Sequence, residues 1–497
     1  MIFFKKYSVL ILLTILTIPA IWPLFHAGMF ISDDASWIVI RLSDFHRSLV
    51  DGQWPVRWAG RLNNGYGYPV FNFLYPGVMY AGEFLHVIFR LDFIQSVKAL
   101  FAISIIFSGV FSFIWLRNRF GKFISMAGAI VYVYLPYHLY TIYTRGSLGE
   151  AVVLTLCPLV LYFADKKKII TTTLTLSLII LCHNTLAFLF LPVFIAYLLI
   201  NNQKLFLIKS LILSLLLTMW FWLPAVYYQQ YTIFNLTPIS RYYEHFLTTK
   251  HTDLFIYNLL LIFFSVLFWK KFNKITQFWV FVAFLSLFLS INLSDILWKY
   301  SPINGIIQFP FRFIAVGLVG CSFLQSYLTS KHKIFLLLPL ILIFLSFKQW
   351  PAKYELYPVE YYSTNEATTN THDEYLPIWT QGKTMLRADK KIEIISGEAD
   401  TEIIKQKSNL LIMKVNSLEE SKLKINTVFF PGWTAFLDNE QTKIFIDGNG
   451  LMIVEIPTGE HIVKLQFGET PLRLFSDIIS LLTLLIILTY EIKKRFL

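Results

Sequence analysis

Long apolar runs broken by short charged segments set the pattern of this chain. A transmembrane helix needs about 20 largely apolar residues. Runs of this kind lie near 7–25, 98–116, 123–142, 150–164, 169–183, 185–200, 205–223, 254–269, 275–292, 312–329, 334–347 and 474–490. The segments "RNRFGK" (117–122), "DKKK" (165–168), "NNQK" (201–204), "KKFNK" (270–274), "KHK" (331–333) and "EIKKRFL" (491–497) are short and basic. Lys and Arg collect on cytoplasmic loops, so all six fall inside if the N-terminus, with Lys5 and Lys6, is cytoplasmic. The alternation then closes with about twelve crossings and both ends inside. The apolar segment 69–89 would upset it. Pro69, Pro76, Gly77 and Gly82 interrupt a helix there, so it is expected to be an interfacial or re-entrant part of a first external loop, 26–97.

From about 348 the period changes. "NLLIMKVNS", "SKLKINTVFF", "TKIFIDGNG", "LMIVEIP" and "HIVKLQFG" alternate with a period near two and are bounded by "DGNG" and "PTGE". Antiparallel strands joined by turns have this signature. The fold expected is a polytopic α-helical membrane protein, with an external β-sandwich-like domain inserted before the last helix. Its parts are a transmembrane domain over 1–347, a β-rich domain over 348–473, and a last helix with a cytoplasmic tail over 474–497.

Composition supports the membrane class: 56% of the 497 residues are hydrophobic and only 15% charged. A net charge of +12 would suit nucleic acid. Loop topology explains it more simply, so the partner expected is the lipid bilayer and no nucleic acid. Cys157, Cys182 and Cys321 sit in apolar runs and read as small hydrophobes. The stretch from Tyr7 to Phe25 competes with a cleaved signal peptide. The many spans that follow favour an uncleaved first helix.

The chemistry-bearing residues gather at the external ends of spans. Asp33 and Asp34 follow the first span; "YTRGSLGE" brings Arg145 and Glu150; "CHN" brings His183; "QFPFRF" brings Arg312. Ionisable groups at a membrane are costly and usually functional. Each also has a plain structural reading. An Asp caps a helix, an Arg snorkels to headgroups, and a His is satisfied at a helix end. Their shared side favours one pocket. The chain has no P-loop, zinc spacing or dinucleotide fingerprint. A carboxylate can take the proton of an attacking sugar hydroxyl. An Arg can hold a phosphate bidentately and neutralise it as it leaves. These needs are those of glycosyl transfer from a polyprenyl-phosphate sugar.

Several pieces carry a resemblance: "DDASWIVIR", "DGQWPVRW" with "NGYGYPVFNFLYP", "TRGSLGEA", "LCHNTLAFLFLP", "IQFPFRF", "DEYLPIW", and "FFPGWTAFLDNE" with "PTGEHIVKLQF". In this order they resemble the GT-C superfamily of integral-membrane glycosyltransferases. They are most similar to bacterial membrane proteins labelled "6-pyruvoyl-tetrahydropterin synthase-related". The resemblance implies that an acid of the first external loop is the catalytic base, here Asp34 or Asp33, with Asp34 preferred. It also implies a His four residues after the second acid. That position is Ile38, while Arg41 is retained and His46 is the nearest imidazole. Adjacent carboxylates can bind Mg2+ or Mn2+, or, held close without a cation, raise the pKa of one of them; the metal stays open. The roles expected are Arg145, Arg312 and His183 on the donor phosphate, and Glu150, Arg41, His46, Trp54 and Tyr66 on substrate. Trp54, Trp58, Tyr66 and Tyr68 are of a kind to stack on a sugar or line an acceptor groove, though interfacial anchoring is the favoured reading.

The preferred function is transfer of a hexose or pentose from a polyprenyl-phosphate donor to an extracytoplasmic glycan, lipid or protein acceptor, at the outer face of a bacterial inner membrane. Two alternatives stand beside it: a lipid-linked glycan transporter or flippase, and a catalytically silent scaffold of polysaccharide assembly. A transporter places its polar groups near the bilayer midplane on broken helices of paired repeats. Here they lie at span ends, and no repeat is evident.

Overall fold

The computed structural model describes residues 2–236, 242–250, 252–268, 270, 272–301 and 307–496. Trp269, Lys271 and Leu497, each in or at the end of an expected segment, lie outside the described residues. The chain forms two compact units. One holds 1–36, 80–215 and 239–357; the other holds 37–79, 216–238 and 358–497.

Among the described residues, five helices are long and apolar enough to cross a membrane: Phe93–Leu116, Lys122–Tyr143, Leu148–Asp165, Pro310–Lys331 and Pro471–Lys494. The number rises to seven if two bent pairs, Lys204–Leu217 with Met219–Tyr231 and Lys274–Leu289 with Asn292–Tyr300, each count as one span. Val9–Phe25, Ile169–Cys182, Asn184–Ile200 and Asp253–Val266 are apolar but shorter. The chain is a multi-pass helical membrane protein with a C-terminal β-region. In the segment 69–89, Pro76–Phe89 folds as a 14-residue helix. At 1.5 Å per residue it is about 21 Å long, less than a hydrocarbon core of about 30 Å.

In the first unit, Phe93–Leu116 packs on Leu148–Asp165 and on Lys122–Tyr134. Phe313–Lys331 packs on Lys274–Leu289, Lys122–Tyr134 and Thr252–Val266. Small residues let such helices approach. A Cβ on Gly128 would stand 2.1 Å from Ser326 Oγ and 2.7 Å from the Ser322 carbonyl. The Ser112 and Ser322 hydroxyls bond at 3.0 Å. Pro136 forces Leu135 out of the helical region, to ψ 130°. This separates Lys122–Tyr134 from the short helix Pro136–Tyr143. Strand β1 (Met29–Phe30) pairs antiparallel with β2 (Tyr354–Glu355) in the same unit.

In the second unit, β3 (Ile392–Ser396), β6 (Ser421–Val428), β10 (Leu451–Ile456) and β9 (Phe445–Ile446) form a four-stranded sheet in the order β3-β6-β10-β9. A five-stranded sheet runs β4 (Ala399–Lys407), β5 (Leu410–Ser417), β11 (Gly459–Phe467), β7 (Trp433–Leu437) and β8 (Glu440–Thr442). All pairings are antiparallel. Period-two alternation gives each sheet one buried face. Leu411, Met413 and Val415 of β5 and Val463, Leu465 and Phe467 of β11 are buried in one; Leu423 and Ile425 of β6 and Met452, Val454 and Ile456 of β10 are buried in the other. Trp58 packs edge-on to Trp433 and tilted on Phe467. Arg57 bridges Glu469 at 2.8 Å and Asp477 at 2.7 Å, fastening the same loop to the start of the last helix.

Candidate active site

The first unit carries a polar centre assembled from four stretches. The segment after β1 continues its pairing, with the Ile31 amide donating to the Lys353 carbonyl at 3.1 Å. Ser36 Oγ donates to Glu355 Oε2 at 2.6 Å. On the other flank the Asp33 amide donates to the Thr144 carbonyl at 3.0 Å, and the Asp34 amide to the Arg145 carbonyl at 2.9 Å. Gly146 makes this approach possible. Its φ is +64°, and a Cβ there would lie 2.3 Å from Ser32 Oγ and 2.5 Å from the Ala35 amide nitrogen. The two aspartates are thus held by backbone bonds beside Arg145, with Asp33 exposed and Asp34 half-buried.

Glu150 is the centre of the buried charge. It lies in the first turn of Leu148–Asp165 with no exposure. Its Oε1 accepts from Arg145 Nη1 and, at 3.2 Å, from Arg312 Nε. His183 Nε2 stands 3.6 Å from the same oxygen. His183 breaks the helical run with extended backbone and caps Asn184–Ile200, its Nδ1 accepting from the Leu186 amide at 3.1 Å. That bond assigns the proton of a neutral ring to Nε2, the nitrogen facing Glu150. Glu150 Oε2 is buried without a protein partner. Arg312 also donates to the Ile307 carbonyl at 2.8 Å and to Gln308 Oε1 at 3.1 Å.

The "QFPFRF" stretch supplies more than an arginine. Phe309 and Phe311 stack in parallel with centroids 5.3 Å apart. The Arg312 guanidinium lies 4.8 Å from the Phe309 centroid and that of Arg145 lies 5.3 Å from the Phe311 centroid. Cation–π attraction therefore helps hold both cations. Two arginines against one glutamate leave an excess positive charge when His183 is neutral. Arg145 is 5% exposed, and Glu150 is its one hydrogen-bonded side-chain partner among the described residues. Its remaining guanidinium donors are unspent. Burial opposes the Arg145 charge, but Glu150, Tyr137 and Asp34 more than offset it and raise its pKa. Partial desolvation raises Asp33; Arg145 opposes this and Asp34 adds to it.

Asp33, Asp34, Arg145, Glu150, His183 and Arg312 all lie in this unit. Arg41, His46, Trp54 and Tyr66 lie in the other. There Arg41 donates through Nε to Thr369 Oγ1 at 2.9 Å and through Nη2 to the Thr369 carbonyl, bracing a residue with φ +65°. His46 is half-buried, and Trp54 is 76% exposed. Tyr66 donates to the Leu386 carbonyl at 2.9 Å. Trp58 and Tyr68 are core residues. In "EYLPIW", Tyr375 stacks on Phe73 and Phe234, and Trp379 stacks on Tyr231. Ile38, where the resemblance implies a His, is buried and apolar. Sequence reasoning gave no role to Phe309, Phe311 or Gly146; the i, i+2 phenyl spacing was the available signal.

Among the described residues no three His, Cys, Asp or Glu side chains gather as metal ligands. Asp33 and Asp34 are two carboxylates, the donor type that Mg2+ takes one or two at a time with waters and substrate phosphate completing its shell.

No family model matches the chain, and no curated protein matches it. Two solved structures of an Archaeoglobus fulgidus oligosaccharyltransferase are similar to it. The apo form has a TM-score of 0.43 at 15% identity and covers 76% of this chain and 58% of its own. The complex with Zn and sulfate has a TM-score of 0.39 at 14% identity and covers 75% and 54%. The chain thus spans little more than half the length of these structures.

Proposed function

We propose that this chain is a GT-C-type membrane glycosyltransferase with twelve crossings. It moves a hexosyl or pentosyl unit from a polyprenyl-phosphate donor to an extracytoplasmic acceptor, at the periplasmic face of a bacterial inner membrane. The observation that carries this reading is the backbone pairing of Asp33 and Asp34 with Thr144 and Arg145. It sets two carboxylates beside a guanidinium with unspent donors. Asp34 takes the proton of the acceptor hydroxyl as its oxygen bonds to the anomeric carbon. The bond from that carbon to the phosphate oxygen breaks, and the polyprenyl phosphate leaves. In-line displacement inverts the anomeric centre. Arg145 and Arg312 bind the phosphate and neutralise its growing charge. Glu150 and the Phe309–Phe311 stack hold the two guanidiniums, and His183 Nε2–H adds a donor. A divalent ion, if bound, sits on Asp33 and Asp34 and adds charge neutralisation.

The test is Asp34→Asn. The variant inserts normally, and the surface glycan of cells carrying it lacks one sugar by mass spectrometry. Loss of a general base costs about 10²–10⁴ in rate. Surface glycan unchanged from the wild type would remove the assignment.

A further inference from the structure

A cavity of about 330 Å³ lies within the second unit, between the loop carrying Gly60–Tyr66, the segment 387–391, and the sheet residues Gln406 and Asn426. Its volume falls at the small end of the range for ligand pockets, about 300–1,000 Å³. Five of its lining side chains are cationic, Arg47, Arg61, Arg387, Lys390 and Lys391, against Glu366 and Asp389.

Some of this charge is spent inside the protein. Arg387 pairs with Glu366 at 2.9 Å. Arg61 faces Asp44 at 3.6 Å and donates to the Ile40 carbonyl and Ser43 Oγ. Arg47 and Lys390 form no ion pair among the described residues. Lys391 donates to the Gly65 and Asn426 carbonyls at 3.0 and 2.7 Å. An ammonium has three N–H donors, so one remains for a ligand. The walls are tied in place. Asn64 Nδ2 donates to the Met385 carbonyl at 2.8 Å, Tyr66 Oη to the Leu386 carbonyl at 2.9 Å, and a Cβ on Gly60 would meet Ser408 at 2.6 Å. The Gln406 amide adds a group suited to hydroxyls, and the Tyr66 ring, 6% exposed, supplies an apolar part of the wall.

We propose that this cavity binds a saccharide bearing an oxyanion, a carboxylate or a phosphate, with Arg47, Lys390 and Lys391 on the anion and Gln406 and Tyr66 on the ring. Binding is read directly, so the proposal stands whether or not the chain transfers sugar.

The experiment uses the full chain in detergent and isothermal titration at fixed low salt. The probes are digalacturonate, galactose 1-phosphate, neutral galactobiose and inorganic phosphate. The expected result is saturable binding of digalacturonate or galactose 1-phosphate and none of galactobiose. Arg47→Ala and Lys390→Ala, both on exposed side chains, each weaken it about fivefold, the upper end for a solvent-exposed charge pair, with unchanged melting temperature. Binding of galactobiose as tight as that of digalacturonate would overturn the anion requirement. Inorganic phosphate bound as tightly as the sugars would overturn the saccharide requirement. Unchanged affinity in both variants would overturn the location. Competition by anionic phosphatidylglycerol vesicles but not by digalacturonate would assign the basic cavity to a lipid headgroup and overturn the proposal.

Discussion

Replacing Glu150 by Gln removes the one negative charge at the centre of the buried cluster while keeping its shape. Arg145 and Arg312, 5% and 7% exposed, then lose the carboxylate they share, while Asp33 and Asp34 still act on Arg145. Removing one partner of a buried ion pair costs about 3–5 kcal/mol. Gln keeps a carbonyl acceptor and Phe309 and Phe311 still hold both cations, so the loss expected is about 3 kcal/mol. At about 2–4 °C per kcal/mol for a unit of this order, melting falls by roughly 6–12 °C. The same change favours an anionic ligand. For a phosphate held on the far side of the guanidiniums, taken as about 6 Å from the carboxylate, removing that charge at an effective dielectric constant of about 20 is worth roughly 3 kcal/mol. The assay is thermal unfolding of the purified protein in detergent, with and without undecaprenyl phosphate. The variant melts lower than wild type alone and regains more of its stability on adding the lipid phosphate, since a ligand of the folded state stabilises more the tighter it binds, as RT ln(1 + L/Kd) at free ligand concentration L. An apo variant as stable as wild type would refute the charge balance. Equal stabilisation of both proteins by the lipid would refute the phosphate site.

Other outcomes follow from the same geometry. Arg312→Lys keeps the charge but loses the fork that reaches Glu150, Ile307 and Gln308, so glycan transfer falls about tenfold or more, measured on cell-surface glycan. Gly146→Ala forces a Cβ into Ser32 and Ala35 at positive φ, so transfer falls sharply while membrane insertion, followed by protease protection, persists. Gly128→Leu wedges the helix against Ser322 and Ser326 and lowers melting by overpacking, about 1–3 kcal/mol or more. The raised pKa of Asp33 means that protonation sets in at higher pH than for an ordinary aspartate. Any loss of activity that follows protonation of Asp33 therefore begins at higher pH than an ordinary aspartate would give, and Asp33→Asn removes that component from the activity–pH profile.

Much of the local structure is legible in the sequence because its causes are local. Apolar runs, prolines and period-two alternation mark the helices and strands, and span ends mark where Arg145, Glu150, His183 and Arg312 stand. What the sequence conceals is set by contacts between distant segments. Arg57 carries no role in the sequence reading, yet it binds Asp477, 420 residues away. Glu150 reads as one substrate ligand among several, yet two arginines and a histidine converge on one of its oxygens. Arg41 and Tyr66 follow Asp34 closely in sequence, yet each is spent on backbone carbonyls of the 369–386 stretch. Composition and spacing carry no record of such partners. The close approach at Gly146 is equally hidden, since a glycine before a helix reads as an ordinary turn.

The most direct measurement is a density map of the full chain with undecaprenyl phosphate bound. The account predicts the phosphate within hydrogen-bonding distance of Arg145 and Arg312, on the side where Asp33 and Asp34 stand. A phosphate bound elsewhere, with neither guanidinium contacting it, would contradict it.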